Sequence, residues 1–229
     1  SSSEEDSTEQ DYSCDSKFKY PTNCSFPNCD YFSSWTFNVS TGLVDFVVKS
    51  RPVGHWAGIG FSRNGKMARS DVIIGFIYDN VPHVTDRFAK DNSAPLIDKS
   101  QDIINSMGDD DQEIDMQTLY FSRKVDTNDK AEDISLYDCP YYLFPVGGGR
   151  ISAKNSEEFK SGSVNLEKHE TFRPQVSSKP ICICKEDNKD EDGRKRRKRQ
   201  DMLETAYGLT PILPVEPKKL NVRSFIQSN

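Results

Sequence analysis

The chain has 229 residues, 34% hydrophobic and 29% charged, with a net charge of −6 and a pI near 5.2. This acidic balance excludes a general nucleic-acid binder, because phosphate contacts need a basic face. No run of about eighteen apolar residues is present to cross a membrane as a helix.

The opening "SSSEEDSTEQD" carries no signal-peptide pattern, so a mature or trimmed product is expected. Residues 1–13 are acidic, Ser-rich and poor in apolar side chains, and are predicted to be disordered. From Tyr31 the pattern changes. Trp35, Phe37 and Val39 alternate with polar residues, and Val44, Phe46 and Val48 do so again after "STG". Alternation at period two marks half-buried strands. "WAGIGF" and "DVIIGFIY" are short apolar runs with β-branched residues and glycines, as buried strands require. Between them, in the polar turn "SRNGKMARS" of "GFSRNGKMARSD", Met67 is the lone large apolar side chain. Either it caps the core from a loop, or it is there for its sulfur.

Further along, "LIDKSQDIINSM" comes nearest to a helical turn. "TLYFSRKV", "DISLYD" and "YYLFPV" read as strands, and "GSVNLEKHE" alternates weakly through Val164 and Leu166. No segment sustains a 3.6-residue period. Many short strands divided by Gly, Pro, Asn and Asp turns indicate an antiparallel sandwich or barrel. We read residues 14–185 as an all-β, immunoglobulin-like β-sandwich with disordered tails at both ends. Beyond it, "EDNKDEDGRKRRKRQ" is an acidic-then-basic block and "LTPILPVEPKK" is Pro-rich and extended. Within the block, Arg196, Arg197, Lys198 and Arg199 form a furin-type convertase site with cleavage after Arg199. A nuclear-import or heparin-binding run is the other reading.

The six cysteines are Cys14, Cys24, Cys29, Cys139, Cys182 and Cys184. An even count clustered near the ends of the domain suits disulfides in an oxidising compartment. Zinc is the rival reading, but its CxxC spacing is absent. Cys24 and Cys29 are the local pair, leaving Cys14 and Cys139 to reach Cys182 and Cys184. Two sequons, at Asn23 and Asn38, fit a secreted glycoprotein. A bridge at Cys24 would disfavour use of the first.

These residues resemble the DOMON domain, in its ferric-chelate-reductase-like branch. The likeness covers residues 14–169. It rests on "CDYF", on "WAGIGFSRNGKMARSDVIIG", on "VPHVTDRF" and "LYFSRKV", on "YYLFPVGGG", and on "EKHE" around His169. The branch carries two further cysteines where this chain has Lys17 and, approximately, Tyr120. If those two normally form a bridge, both have been lost together.

The resemblance implies a DOMON-like β-sandwich that holds heme b, binds sugars or serves as an interaction module. In heme-binding members a methionine and a histidine ligate the iron from opposite sides. By position these are Met67 and His169. Imidazole plus thioether makes a six-coordinate, low-spin site of raised potential that moves electrons and offers substrate no open position. Arg63, Lys66 or Arg69 then meet the propionates. His169 has opposite parity to Val164 and Leu166, so it must lie on the heme side itself or just past the strand end. His83 and His55 are read as surface residues. Trp56 and "GIG" are read as packing, and Asp71, Asp86 and Arg87 as surface ion pairs rather than propionate contacts. "VGGGR" is no phosphate loop, because neither Lys-Ser/Thr nor a helix follows.

The implied function is that of a secreted one-electron carrier, with a redox partner or membrane cytochrome. The alternative is a heme-free extracellular module binding a partner protein or glycan, with a proteolytically processed tail. A third reading is a precursor that releases its C-terminal peptide. No nucleophile elbow is present, so a stand-alone enzyme is not the leading reading.

Overall fold

A computed structural model describes residues 15–169 and 174–183. In chain order its strands are β1 (Asp15–Tyr20), β2 (Tyr31–Asn38), β3 (Leu43–Ser50), β4 (Ala57–Ser62), β5 (Ser70–Tyr78), β6 (Val81–Ala89) and β7 (Leu96–Ile97), then β8 (Ile103–Asp111), β9 (Met116–Lys124), β10 (Tyr141–Phe144), β11 (Ile151–Ser152), β12 (Asn165–Leu166) and β13 (Gln175–Val176). They form a five-stranded sheet, β1-β2-β3-β9-β8, a six-stranded sheet, β13-β10-β4-β5-β6-β7, and the small pair β11-β12. All strand pairings are antiparallel. This is the expected antiparallel β-sandwich.

The period-two pattern decides which face is buried. Trp35, Phe37, Val44, Phe46 and Val48 point into the core from one sheet; Ala57, Ile59, Phe61 and Ile73 meet them from the other. Val39 lies beyond the end of β2 and is exposed. β4 is buried along its whole length, because its sheet is covered on both faces. On the outer face a second apolar cluster joins Trp56, Ile74 and Phe76 to Val164 and Leu166.

Three segments differ from expectation. "DISLYD" is a 3-10 turn at Leu136–Asp138 instead of a strand. Its alternation buries Ile134 and Leu136, yet no sheet partner lies alongside; the Leu136 N–H, donating to the Val125 carbonyl at 2.8 Å, and the Arg123 guanidinium, donating to the Ile134 carbonyl at 3.2 Å, tie it to β9's end. "LIDKSQDIINSM" is extended and contributes β7 and the bulged edge strand β8. A single turn of helix, α1 (Ser156–Lys160), forms where none was expected, capped by the Asn155 side chain accepting from the Glu158 N–H.

Cys24 is bridged to Cys29 and Cys139 to Cys182, and no cysteine among the described residues is free. Cys14, Cys184, the acidic residues 1–13 and the tail with Arg196, Arg197, Lys198 and Arg199 lie outside the described residues. Asn23 and Asn38 are both exposed; the Asn38 side chain accepts from Ser40 in a tight turn.

Candidate functional site

Met67 sits in the turn joining β4 to β5, and that turn is fastened at both ends. Buried Ser62 donates its hydroxyl to the Lys66 carbonyl at 2.7 Å, and the Asn64 side chain accepts from the Lys66 N–H. Buried Ser70 donates both its N–H and its hydroxyl to the Met67 carbonyl. Arg69, at φ 61°, sends its N–H to Ala89 on β6. The polar residues around the methionine are therefore the fasteners of its turn, and Met67 itself is half-buried.

His169 lies three residues beyond the end of β12, and it too is half-buried. Its approach is set by Trp56, whose indole N–H donates to the Glu167 carbonyl at 2.8 Å and whose backbone N–H donates to Gly149. Glu167 in turn donates its N–H to the Arg150 carbonyl at 3.0 Å. The run Gly147–Gly149 makes this close packing possible. A Cβ on Gly148 would lie 1.7 Å from the Trp56 carbonyl oxygen, and one on Gly149 2.1 Å from that of Glu167. "VGGGR" therefore serves close backbone packing, a role not among those expected of it. Three successive glycines were the available signal for a close backbone approach.

Met67 and His169 line the same cavity, of about 440 Å³. Its floor is the outer face of the six-stranded sheet, with Gly60 from β4 and Val72 and Ile74 from β5. Trp56, Leu143 and Val176 supply apolar walls, and Asn92, Ser93 and Lys168 supply polar groups. The volume is that of a typical organic-ligand site. A Cβ on Gly60 would stand 2.8 Å from Val72 Cγ1 and 3.3 Å from Leu143 Cβ, so the missing side chain opens the floor between those residues.

The donor chemistry fits heme. A thioether and an imidazole lie in one apolar chamber, and burial holds the imidazole below its usual pKa, with the Lys168 charge adding to the effect. A neutral imidazole keeps a lone pair for a metal. Among the described residues Lys168 is the cation of the lining; Arg63, Lys66 and Arg69 are exposed and do not line it.

Other expected residues fall elsewhere. His83 is half-buried and stacks on Phe76 at 5.2 Å, and His55 is half-buried with Nδ1 3.0 Å from the Gly147 carbonyl; neither is the surface residue expected, and neither lines the cavity. Trp56 does pack in the outer cluster as read, and it also walls the cavity. Asp71, Asp86 and Arg87 are buried, where surface ion pairs were expected. Asp71 pairs with buried Arg123 at 2.6 Å, and Arg87 donates to Thr85 and to the carbonyls of Pro95 and Gly162. Their hydrophilic identity suggested the surface, but they sit on β5 and β6, where register turns Asp71 to the same side as Ile73.

The family model of the DOMON domain matches residues 27–147. The Drosophila melanogaster protein "MOXD1 homolog 2" is 32% identical over 95 residues, which make up 41% of this chain and 12% of that relative. Among solved structures, the cytochrome domain of Myriococcum thermophilum cellobiose dehydrogenase superposes with a TM-score of 0.51 at 11% identity, covering 67% of this chain and 76% of that domain. The cytochrome b domain of pyranose dehydrogenase from Coprinopsis cinerea gives 0.47 at 15% identity, covering 64% and 75%.

Proposed function

The chain belongs to the DOMON domain family, and from that premise we propose that it binds heme b in the cavity on the outer face of the six-stranded sheet and serves as a one-electron carrier. The observation that carries this reading is that Met67 and His169, far apart in sequence and on different elements, line one apolar cavity. The fold shared with the cytochrome domain of cellobiose dehydrogenase supports it. Heme, when bound, supplies a one-electron iron couple.

The chain's own residues do the rest. Met67 offers its sulfur from a turn held by Ser62 and Ser70, and His169 offers a neutral imidazole from the segment held by Trp56. With Met67 and His169 both holding the iron, no coordination site would be left for substrate, which favours electron transfer over bond-making chemistry. Leu143, Val176 and Trp56 keep water from the donors, and Lys168 places a positive charge for a carboxylate on the ligand's edge. We place the chain in the ferric-chelate-reductase-like branch on the order of its motifs. We read it as secreted, on its two disulfides, with sugar at the exposed sequon Asn38, since the Cys24–Cys29 bridge disfavours use of Asn23, and with a redox protein or membrane cytochrome as its partner.

The test is the visible spectrum of the protein reconstituted with hemin, oxidised and then reduced. A Soret band with low-spin reduced features is expected. Met67→Ala keeps the fold, loses the low-spin features and lowers the potential; His169→Ala loses more, because imidazole is the stronger ligand. If no Soret band forms, the electron-carrier reading is wrong and a heme-free interaction module takes its place.

A further inference from the structure

We propose that a calcium ion binds inside the sandwich, ligated by the carboxylates of Asp71, Asp86 and Asp133. Asp71 opens β5, Asp86 lies on β6, and Asp133 follows β9. All three are buried, and one oxygen of each lies within 4.8 Å of the others. This site is separate from the cavity that holds Met67 and His169, and it does not depend on heme.

The carboxylate oxygens themselves point to the ligand. Asp86 is 0% exposed, yet neither of its oxygens has a hydrogen-bond partner among the described residues. Asp71 gives one oxygen to Arg123 at 2.6 Å and to the Ile134 N–H at 3.0 Å, and its other oxygen is bare. Asp133 Oδ2 is bare as well, with Arg123 Nη2 3.8 Å away. Buried carboxylates left without hydrogen bonds are costly, and native structures avoid them unless a proton or a metal completes the site. Three carboxylates facing the single guanidinium of Arg123 leave two negative charges, which is the charge of one divalent cation. Buried Asp98 borders the cluster with a further bare oxygen.

The donors are all hard oxygens, with no imidazole or thiolate among them, which selects alkaline-earth over transition metals. Calcium holds oxygens at roughly 2.3–2.6 Å, so ligands on opposite sides stand up to about 5 Å apart. Magnesium draws them closer, to bonds of about 2.0–2.1 Å. The surrounding backbone is already braced, since the Gln101 side chain accepts from the Asp86 N–H and donates to the carbonyls of Asp86 and Asp98. An ion here ties β5, β6 and the segment after β9 together, four residues along the chain from Met67.

The experiment uses the full chain. Metal content is measured after purification without chelator, and thermal unfolding and calorimetric titration follow on EDTA-treated protein with calcium chloride or magnesium chloride. One calcium per chain is expected, with a calcium-dependent rise in Tm that magnesium does not reproduce. Asp86→Asn and Asp133→Asn should each weaken calcium binding on the order of tenfold or more. A triple variant of exposed carboxylates, Asp109→Asn, Asp111→Asn and Glu113→Gln, should bind as the parent does. This control keeps the test decisive even if a core variant fails to fold. No calcium-dependent shift, an equal response to magnesium, binding that survives both core substitutions, or binding lost in the surface triple variant would each overturn the proposal.

Discussion

Gly149→Ala is the sharpest probe of how the chain seats His169. The added Cβ would lie 2.1 Å from the Glu167 carbonyl oxygen, 2.7 Å from its carbon and 2.8 Å from the Lys168 carbonyl oxygen. All three are backbone atoms, so no side chain can swing away. To reach ordinary contact at 3.4 Å, the Glu167 carbonyl must retreat by about 1.3 Å, and it takes with it the segment that ends in His169. A metal–ligand bond tolerates roughly 0.2 Å. We therefore expect the reconstituted variant to lose histidine ligation although no cavity-lining side chain has changed. Overpacking of this kind costs about 1–3 kcal/mol, which lowers Tm by roughly 2–12 °C for a domain of this size. The assay pairs the reduced heme spectrum with thermal unfolding followed by circular dichroism. Gly42→Ala is the control: nothing lies within 4 Å of its Cβ, and its φ of +68° carries only backbone strain. A Gly149→Ala protein with an unchanged low-spin spectrum and unchanged Tm would refute the reasoning.

Arg123→Met leaves Asp71 buried without its guanidinium and is expected to cost about 3–5 kcal/mol in denaturant unfolding. Cys182→Ser opens a bridge of sequence separation 43 and should cost up to about 4 kcal/mol by the chain-entropy model, measured in the same way. Peptide mass mapping should find the remaining pair, Cys14 with Cys184, oxidised. Brief furin treatment should give one cut after Arg199 and leave the sandwich's circular dichroism unchanged.

The strands were legible because burial imposes a period-two pattern: Trp35 and Phe37, then Val44, Phe46 and Val48, announce two paired strands facing one core. The local bridge at Cys24 and Cys29 was equally plain, since little chain separates the two residues. Met67 stood out because an apolar side chain alone in a polar turn has no neighbour to pack with locally. "DISLYD" misled because alternation reports which residues are buried and not whether another strand lies alongside. His169 carried no signal of its own; only the likeness to a family singled it out.

What the sequence could not hold was decided by pairings between distant segments. Gly148 and Gly149 take their meaning from carbonyls of Trp56, Glu167 and Lys168 that pack against them. Asp71 is a core residue because Arg123 on the opposite sheet reaches it, and it meets Asp86 and Asp133 only once β5, β6 and the segment after β9 come together. A strand's period fixes the face on which a side chain lies. What faces it across the sandwich depends on sheet order, and that order is set by the packing of the whole chain.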